Sequence, residues 1–407
     1  MSGMLSGSKG RIMVDASRWI SGNVAQAQLS AIKEMAVRSA RVPGAASLTW
    51  GLPSFATPEH IRRAVSEALV DDPDAGKYTL PAGLLELREL VAQRHEQATG
   101  ISVDPERNIL ITAGNMQGMS TLFHTLLDPG DEVILTDPGF ASHIQQIRLA
   151  GGVPVHWPLQ ENSGWRLDLQ ALPPLISGRT KALVLVTPSN PTGSVFPRED
   201  LLQLGEIARE RGIMLILDDP YSELVYDADA PCFNLASEAA LSEQLAYLFT
   251  FSKIHAMSGW RLGYMIVPDW LRQQVLKVHD ANLICAPRPS QIAGMAALAG
   301  SRAHVDEFRR VLATRRDLIC QRLDRVPHVF EYVRPQGAYY VFPKIVAKHE
   351  DSMSFALGLL EEARVTVTPG SAFGPSGEHH VRMAYCVDDA VINTAFDRIE
   401  ARHGAAR

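Results

Sequence analysis

The sequence predicts an α/β protein whose main domain is built on a mostly parallel sheet. From Asn108 onward, short apolar runs alternate with helical patterns, and each run ends in a polar or glycine-containing turn. The chain has 407 residues, which is enough material for two lobes. Beyond Gly300, a charged helical stretch at 307–323 and a turn-linked strand pair at 331–344 indicate a second, smaller lobe.

The composition is that of an ordinary globular protein, with 46% hydrophobic and 21% charged residues. A net charge of −6 offers no general surface for nucleic acid or an anionic membrane. The four cysteines are far apart and lack Cys-x-x-Cys spacing, so neither a zinc site nor a disulfide framework is predicted. The N-terminus has no apolar segment, and no run approaches transmembrane length. We therefore expect a cytoplasmic protein without nucleic-acid or membrane partners.

The N-terminal part is predicted to form an arm and the start of the smaller lobe. Residues 1–25 show no periodicity and are interpreted as a loosely ordered arm. Apolar residues at helical spacing predict a helix over 26–41. A Gly/Pro turn follows, in which Trp50 directly precedes Gly51. Tyr78 lies in a later loop between two predicted helices.

Polar residues follow the buried strands of the main domain, and ligands bind at the carboxyl ends of strands in open α/β sheets. Asn115 and Met116 lie in a glycine turn that leads into a helix predicted over 117–127, and the free backbone N–H groups of such a turn suit a phosphate. Later strands are followed by Phe140, by Asn190, and by Asp218 with Tyr221. Asp218 directly follows five apolar residues, so it is predicted to be buried and to need a hydrogen-bonding or cationic partner.

The next apolar run ends in a segment that is rich in residues able to take part in catalysis or phosphate binding. Two hydroxyl residues, Thr250 and Ser252, precede Lys253 there. Arg261 follows eight positions later. A partly desolvated lysine suits a Schiff base to a phosphorylated aldehyde, because its neutral amine is then available. The hydroxyls and Arg261 would supply donors and charge for the phosphate. A Ser-Lys pair taken alone more often lies at the exposed end of a strand, where the lysine has no catalytic role.

Two arginines are candidates for binding a substrate carboxylate. Arg382 lies among alternating apolar residues in a predicted strand, so its guanidinium is expected to face a pocket. Its planar fork suits bidentate binding of a carboxylate. For Arg288 the sequence leaves open whether the side chain meets substrate or solvent. The histidines show no ligand spacing and are interpreted as ordinary polar residues, so no metal site is predicted.

In this order the features resemble the class I/II aminotransferases, from about Ser30 to the end of the chain. The family pattern Ser/Thr-x-Ser/Ala-Lys, with an arginine eight positions on before Leu-Gly, is met by Thr250, Ser252, Lys253 and Arg261. Asn-Pro-x-Gly at 190–193 and Val-Arg-x-x-Tyr around Arg382 also match. Each motif alone has an ordinary explanation, such as a turn or a core ring. Their common order makes coincidence implausible.

The resemblance implies a pyridoxal 5'-phosphate enzyme of fold type I that moves an amino group between an L-amino acid and an α-keto acid. The large cofactor-binding domain, with a mostly parallel seven-stranded sheet, would comprise residues 61–299. A smaller α+β domain would comprise 26–60 with 300–407. The protein would be a homodimer with shared active sites, because Tyr78 would reach the phosphate in the neighbouring subunit's site.

The resemblance also implies roles for single residues. The catalytic residues would be Lys253, as Schiff-base lysine and base, Asp218, as partner of the pyridine nitrogen, and Tyr221. The cofactor-binding residues would be Tyr78, Asn115, Met116, Phe140, Asn190, Asp218, Tyr221, Thr250, Ser252, Lys253 and Arg261. Phe140 would stack on the ring, while Asn190 and Tyr221 would reach its phenolic oxygen. The substrate-binding residues would be Trp50, Gly51, Asn190 and Arg382.

Several positions depart from the family pattern, namely Trp50, Ser54, Phe140 and Pro220. They leave open a non-transaminating enzyme on the same fold, such as a β- or γ-lyase or a specialised synthase. An aminotransferase-like regulatory domain would need a basic DNA-binding region, which the N-terminal residues do not supply. A nicotinamide enzyme would need a glycine fingerprint that the sequence lacks. Trp50 and Phe140 favour a neutral amino donor with an apolar or aromatic side chain over aspartate.

Overall fold

The structure is a computed structural model and describes residues 16–27, 29, 31–227 and 232–404. Its α-helices are α1 (Gly22–Gln26), α2 (Ala31–Ala40), α3 (Glu59–Asp71), α4 (Leu85–Thr99), α5 (Asn115–Leu126), α6 (Ala141–Leu149), α7 (Arg198–Arg211), α8 (Asp269–Leu283), α9 (Arg288–Ala299), α10 (Ala303–Leu323), α11 (Ser352–Ala363) and α12 (Asp389–His403). Its strands are β1 (Ala46–Ser47), β2 (Ile109–Thr112), β3 (Glu132–Asp137), β4 (Val153–Gln160), β5 (Arg166–Leu167), β6 (Thr180–Val186), β7 (Met214–Asp219), β8 (Leu245–Thr250), β9 (Gly263–Ile266), β10 (Phe330–Glu331), β11 (Tyr340–Val341), β12 (Lys344–Ile345), β13 (Val365–Thr366), β14 (Thr368–Pro369) and β15 (Val381–Ala384).

The main sheet has the strand order β2-β9-β8-β7-β6-β3-β4-β5. The pairs β8–β7, β7–β6, β6–β3 and β3–β4 are parallel, whereas β9 is antiparallel to both β2 and β8. Every residue of β2, β3, β7, β8 and β9 is buried, as expected for strands covered by helices on both faces. The α/β fold class and the mostly parallel sheet of seven long strands are confirmed. The two-residue β5 extends one edge.

The carboxyl ends of the parallel strands meet along one edge of this sheet. Strands β2 and β8 end side by side, because Thr112 of β2 and Thr250 of β8 both pair with Gly263 of β9. Strand β7 brings Asp218 to the same edge, with β6 beside it. The turns that carry the predicted chemistry therefore come together, although they are far apart in sequence.

A second set of small sheets lies in the C-terminal part of the chain. Strands β11, β15 and β14 form a three-stranded antiparallel sheet, and β10 pairs with β12. Strand β1 pairs in parallel with β13, so the segment before α3 joins the C-terminal part. Arg315 strengthens this junction, since it donates to Ser54 Oγ at 2.9 Å and pairs with Asp388 at 3.0 Å. The domain boundaries at residues 60 and 300 remain a prediction.

The N-terminal helix differs from its predicted bounds. Residues 31–40 form α2, with Ile32 and Met35 buried, but Leu29 precedes the helix and is 92% exposed. Of the predicted arm, residues 1–15 lie outside the described part. Residues 22–26 form the short helix α1, which Ser21 caps by accepting from the N–H of Val24 at 3.4 Å.

No helix in the described ranges is long and apolar enough to cross a membrane. Across the same ranges, no group of three or more His, Cys, Asp or Glu side chains is arranged to hold a metal ion.

Candidate active site

A cavity of about 280 Å³ opens at the carboxyl edge of the main sheet. Thirteen of the fourteen predicted site residues line it: Trp50, Gly51, Asn115, Met116, Phe140, Asn190, Asp218, Tyr221, Thr250, Ser252, Lys253, Arg261 and Arg382. They come from seven separate segments of the chain. The structure therefore gathers almost the whole predicted set in one place.

Two of the candidate residues do not line the cavity. Tyr78, the fourteenth, is 76% exposed in its loop and does not line the cavity of its own chain. Arg288 is also outside the cavity lining, and its guanidinium pairs with Asp72 at 3.1 Å. The structure thus assigns Arg288 a partner within the chain.

Lys253 presents its amine to the cavity. Its Nζ donates to the carbonyl oxygen of Gly51 at 3.0 Å and lies 5.7 Å from the ring centre of Tyr339. Burial, helped by the positive charges of Arg382 and Arg261 and opposed by Cys386, lowers the pKa of Lys253 to about 8. The neutral amine needed for attack on a carbonyl carbon is therefore accessible near neutral pH.

The lowered pKa of Lys253 predicts how the reactivity of its amine changes with pH in the protein without cofactor. Because burial disfavours the ammonium form, acetylation of Lys253 by acetic anhydride is expected to increase as pH rises through about 8. Quantitative peptide mass spectrometry between pH 6 and 11 measures the midpoint, with exposed lysines of the same chain as internal references. A midpoint above pH 10 would show that the amine is as well solvated as a free lysine.

Asp218 is buried at the back of the cavity and is held on both oxygens. The amide of Asn115 donates to Oδ1 at 2.6 Å, and His143 Nε2 lies 3.1 Å from Oδ2. His143 lies in the first turn of α6 and is itself buried, with its ring edge-on to Phe140 at 5.1 Å. The interpretation of every histidine as an ordinary polar residue was therefore wrong for His143, which holds the carboxylate in place.

A second buried polar group, the hydroxyl of Tyr221, lies in the cavity lining. Tyr221 is buried, and its hydroxyl lies 3.1 Å from the hydroxyl of Tyr340. Burial raises the pKa of Tyr221 well above its ordinary value, so its hydroxyl keeps its proton and remains a donor. Tyr340 comes from β11 in the second lobe, and the sequence analysis did not include it in the site.

The hydroxyls of Thr250 and Ser252 form one corner of the cavity with Arg261. Thr250 Oγ1 donates to Ser252 Oγ at 2.9 Å. Arg261 donates to the carbonyl oxygen of Ser258 at 2.9 Å and lies over Gly114. A Cβ on Gly114 would lie 2.7 Å from the guanidinium, and Gly114 also adopts a φ of +75°. The corner therefore requires glycine at the start of α5.

Arg382 is 2% exposed and is held by neutral groups. Its guanidinium donates to Asn190 Oδ1 at 3.0 Å and to the carbonyl oxygen of Thr49 at 2.6 Å. It also lies between two rings, 4.4 Å from the centre of Tyr340 and 5.0 Å from that of Phe373. Among the described residues it has no acidic partner, and its Nε is buried without a hydrogen bond. A buried cation without an acidic partner is stabilised by an anionic ligand, so Arg382 is a candidate for binding one.

Sequence reasoning also missed two residues of helix α2, Ile32 and Lys33, which line the cavity. Their helical spacing showed only that one face of α2 is buried. The contact depends on how α2 docks over the sheet edge, which local patterns do not determine. For His143, the position three residues after Phe140 was the available signal, since one helical turn puts both at the same end of α6.

Comparisons with known proteins show the family of the chain. The model of the family "Aminotransferase class I and II" matches residues 45–399. The aromatic-amino-acid aminotransferase 2 of Thermococcus litoralis is 36% identical over 361 residues, 88% of this chain and 92% of the relative. An aspartate aminotransferase of Pyrococcus abyssi is 36% identical over 356 residues, covering 87% and 90%.

A solved structure supports the same assignment. The aromatic aminotransferase from Pyrococcus horikoshii OT3 superimposes with a TM-score of 0.84 at 35% identity, over 90% of this chain and 98% of that one. Fold, site and sequence together show that the chain belongs to the class I and II aminotransferases, enzymes that transfer an amino group between an amino acid and an α-keto acid.

Proposed function

We propose that the chain is a pyridoxal phosphate-dependent aminotransferase whose amino donor is a neutral amino acid with an apolar or aromatic side chain. The observation that carries the proposal is the charge of the cavity. Lys253, Arg261 and Arg382 line it together with Lys33, and Asp218 is the acidic residue in the lining. Neither arginine pairs with an acid among the described residues. A substrate carboxylate and a cofactor phosphate would balance these charges.

The residues present fit pyridoxal phosphate at three positions. The phosphate would lie at the corner of Thr250, Ser252 and Arg261, where Gly114 leaves room at the start of α5. Phe140 offers an apolar ring face in the cavity wall. The buried carboxylate of Asp218 would hold a proton at the ring nitrogen. Bound there, the cofactor would supply an aldehyde carbon and a ring that accepts electrons from the substrate's α-carbon.

The chain's own residues then bind the substrate and move its proton. Arg382 would bind the α-carboxylate in its planar fork, oriented by Asn190 and the carbonyl of Thr49. Lys253 Nζ, with its lowered pKa, would take the proton from the substrate's α-carbon and deliver it to the former aldehyde carbon of the cofactor, on the other side of the amino nitrogen. Its hydrogen bond to the carbonyl of Gly51 keeps the amine at the cavity wall between these steps.

The side-chain half of the cavity favours a neutral donor. Ile32, Trp50, Val186 and Pro220 line it and present apolar surface. Trp50 is 58% exposed, so its ring is available at the mouth to cover an apolar or aromatic side chain.

We also propose a homodimer in which Tyr78 completes the partner's site. The apolar side chains Leu69, Val70 and Leu80 lie within nine residues of it in the sequence and are 57%, 83% and 74% exposed, which favours a buried interface. Mixing the Lys253→Ala and Tyr78→Ala variants is expected to restore activity that neither has alone, because hybrid dimers contain one intact site. A mixture without any gain, in subunits shown by mass spectrometry to exchange, would contradict shared sites.

The experiment that tests the function mixes the holoenzyme with single amino acids, without any keto acid, and follows the cofactor spectrum and products. A transaminase is expected to convert the cofactor to its amine form in one turnover, and an added keto acid should reverse the change. Neutral amino acids should react faster than aspartate. Product that accumulates over many turnovers with the spectrum unchanged would identify a lyase or synthase instead.

A further inference from the structure

His380 connects the strand that carries Arg382 to the main sheet. It directly precedes β15 and is 4% exposed. Its Nε2 lies 3.1 Å from Oε1 of Glu161, which begins a short 3-10 helix after β4. Strand β4 belongs to the main sheet, whereas β15 belongs to the three-stranded sheet of the C-terminal part. The contact between His380 and Glu161 therefore joins the two parts of the chain that form the cavity.

The hydrogen bonds of His380 need a proton on both ring nitrogens. Nδ1 lies 3.0 Å from the carbonyl oxygen of Glu378, and Nε2 faces the carboxylate of Glu161. Both partners are acceptors, so only the doubly protonated, positively charged ring donates to both. The carboxylate of Glu378 itself accepts from the backbone N–H groups of Ser352 and His379, at 2.7 Å and 3.0 Å. Glu161 therefore supplies the negative charge at the ring.

The surroundings favour this charged pair. The hydrogen bond from His380, with the charges of His380 and Lys344, lowers the pKa of Glu161 against the opposing effect of burial. Glu161 therefore stays ionised at pH 6 and above. Lys344 is exposed and pairs with His380 through a backbone bridge. The faces and edges of the ring meet aromatic side chains, since Phe342 stacks on it at 5.0 Å and Trp165 lies edge-on at 5.4 Å.

His380 is in continuous contact with the groups around Arg382. Arg382 follows it by two residues. The ring of Phe342, stacked on His380, lies edge-on to Phe373 at 5.8 Å, and the ring centre of Phe373 is 5.0 Å from the guanidinium of Arg382. The N–H of Gly370, in the loop that contains Phe373, donates to the carbonyl oxygen of His380 at 2.8 Å. A shift of His380 is therefore transmitted to Arg382 through the strand and through the two rings.

We propose that the charged pair of His380 and Glu161 positions Arg382 for the substrate carboxylate, so that the enzyme binds carboxylates more tightly while His380 is protonated. This inference rests on the proposed function, in which Arg382 binds the α-carboxylate. His380 is a positioning residue, because it lies outside the cavity lining. Loss of its proton removes one hydrogen bond and the attraction to Glu161, so the start of β15 is held less firmly and the guanidinium is less well oriented.

The test compares two ligands of the holoenzyme that differ in one charge. 3-Phenylpropanoate carries a carboxylate and has no amino group to react, and 3-phenylpropanamide is its neutral counterpart. At pH 6, His380→Phe is expected to weaken binding of the carboxylate about fivefold and to leave binding of the amide unchanged, as measured by calorimetry. Phenylalanine keeps the stacking on Phe342 and removes both N–H groups. Glu161→Gln, at the more exposed end of the pair, should have the same effect.

The pH dependence separates positioning from packing. The carboxylate dissociation constant of His380→Phe, divided by that of the original, should be about five at pH 6 and approach one at pH 9, because imidazole changes charge between about pH 5 and 8. Other groups that titrate in this range, such as Lys253, are common to both proteins and cancel in the ratio. The double variant with Glu161→Gln should lose no more affinity than either single variant, because both substitutions remove the same pair.

Glu362→Gln is the matched control. Glu362 of α11 pairs with Arg402 of α12 at 2.9 Å, so this substitution breaks an ion pair of the C-terminal part that lies outside the cavity lining. It should change neither affinity. Equal losses for carboxylate and amide in His380→Phe, or a ratio that is the same at pH 6 and pH 9, would overturn the proposal and assign His380 a role in packing.

The original enzyme separates this proposal from the proposed function. If 3-phenylpropanoate binds to it no better than 3-phenylpropanamide, the carboxylate role of Arg382 is refuted, and the inference on His380 with it. If the carboxylate binds better than the amide but neither His380→Phe nor Glu161→Gln weakens it at pH 6, only the role of the His380 pair is refuted.

Discussion

Replacing Lys253 with alanine is expected to lower turnover by at least about 10⁴-fold and to remove the visible absorbance of the lysine-bound cofactor. The substitution would remove both the proposed covalent attachment and the proposed base, and general-base catalysis alone contributes about 10²–10⁴-fold. Lys253 lines the cavity together with Arg382 and Arg261, and the hydrogen-bond partner of its Nζ is a backbone carbonyl, which cannot replace it. Absorbance spectra and single-turnover rates measure both effects.

Lys253→Arg is the matched control for charge. It keeps a cation of similar length, but arginine stays protonated at every accessible pH and offers no neutral amine. We expect the same loss of turnover in this variant, which would show that the deprotonated amine matters and not the positive charge. A Lys253→Ala protein with an unchanged cofactor spectrum would refute the assignment of Lys253.

Small amines offer a further check on the proton transfer. Methylamine or ethylamine added to Lys253→Ala is expected to restore part of the single-turnover rate, because a free amine can enter the space that the side chain vacates. The restored rate should increase with the concentration of the neutral amine, and therefore with pH. Restoration that is independent of pH would argue against an amine acting as base.

The strand ends of the main sheet explain why so much of the site was predictable. Residues such as Asp218 and Thr250 directly follow apolar runs, and parallel strands deliver their carboxyl ends to one edge. The position of Arg382 on a strand of alternating apolar residues was informative for the same reason. It is paired through β15 with β14 and β11, and its guanidinium faces Asn190 of the main domain.

The missed residues depend on how separate elements dock. His143 reaches Asp218 from a helix, Tyr340 reaches Tyr221 from the second lobe, and Lys33 enters the cavity from α2. In each case the local sequence predicts the element but not the rotation or tilt that directs the side chain. The proposed role of Tyr78 depends on a different step, because the association of two chains, and not the fold of one, would bring this loop residue into a site.

Replacing Asp218 with asparagine is expected to lower turnover by about 10³-fold while leaving the protein folded. Asparagine has nearly the same shape, so the substitution changes the charge where the ring nitrogen of the proposed cofactor would lie, and little else. Preorganised charge in a buried site is worth about 10²–10³-fold in rate when it is removed. His143 and Asn115 hold the carboxylate on both oxygens, so no movement of the side chain can compensate. Stopped-flow rates of the first half-reaction, at saturating cofactor, measure the loss.

Asp219→Asn is the control that separates this role from burial of a carboxylate. Successive residues of a strand point to opposite faces, so Asp219 faces away from the cavity and accepts from Tyr247 at 2.7 Å and Ser222 at 2.9 Å. Burial raises its pKa to about 6, so the folded protein binds this proton more tightly than the unfolded chain and loses stability as pH rises towards 6.

The neutral asparagine at position 219 avoids this buried charge, so at pH 7 we expect an unfolding temperature at least equal to that of the original and turnover within about threefold. The same substitution should therefore lower turnover at Asp218. At Asp219 it should leave turnover nearly unchanged and keep or raise the unfolding temperature. Equal losses of turnover in both variants would show that the strand end, and not the charge of Asp218, sustains catalysis.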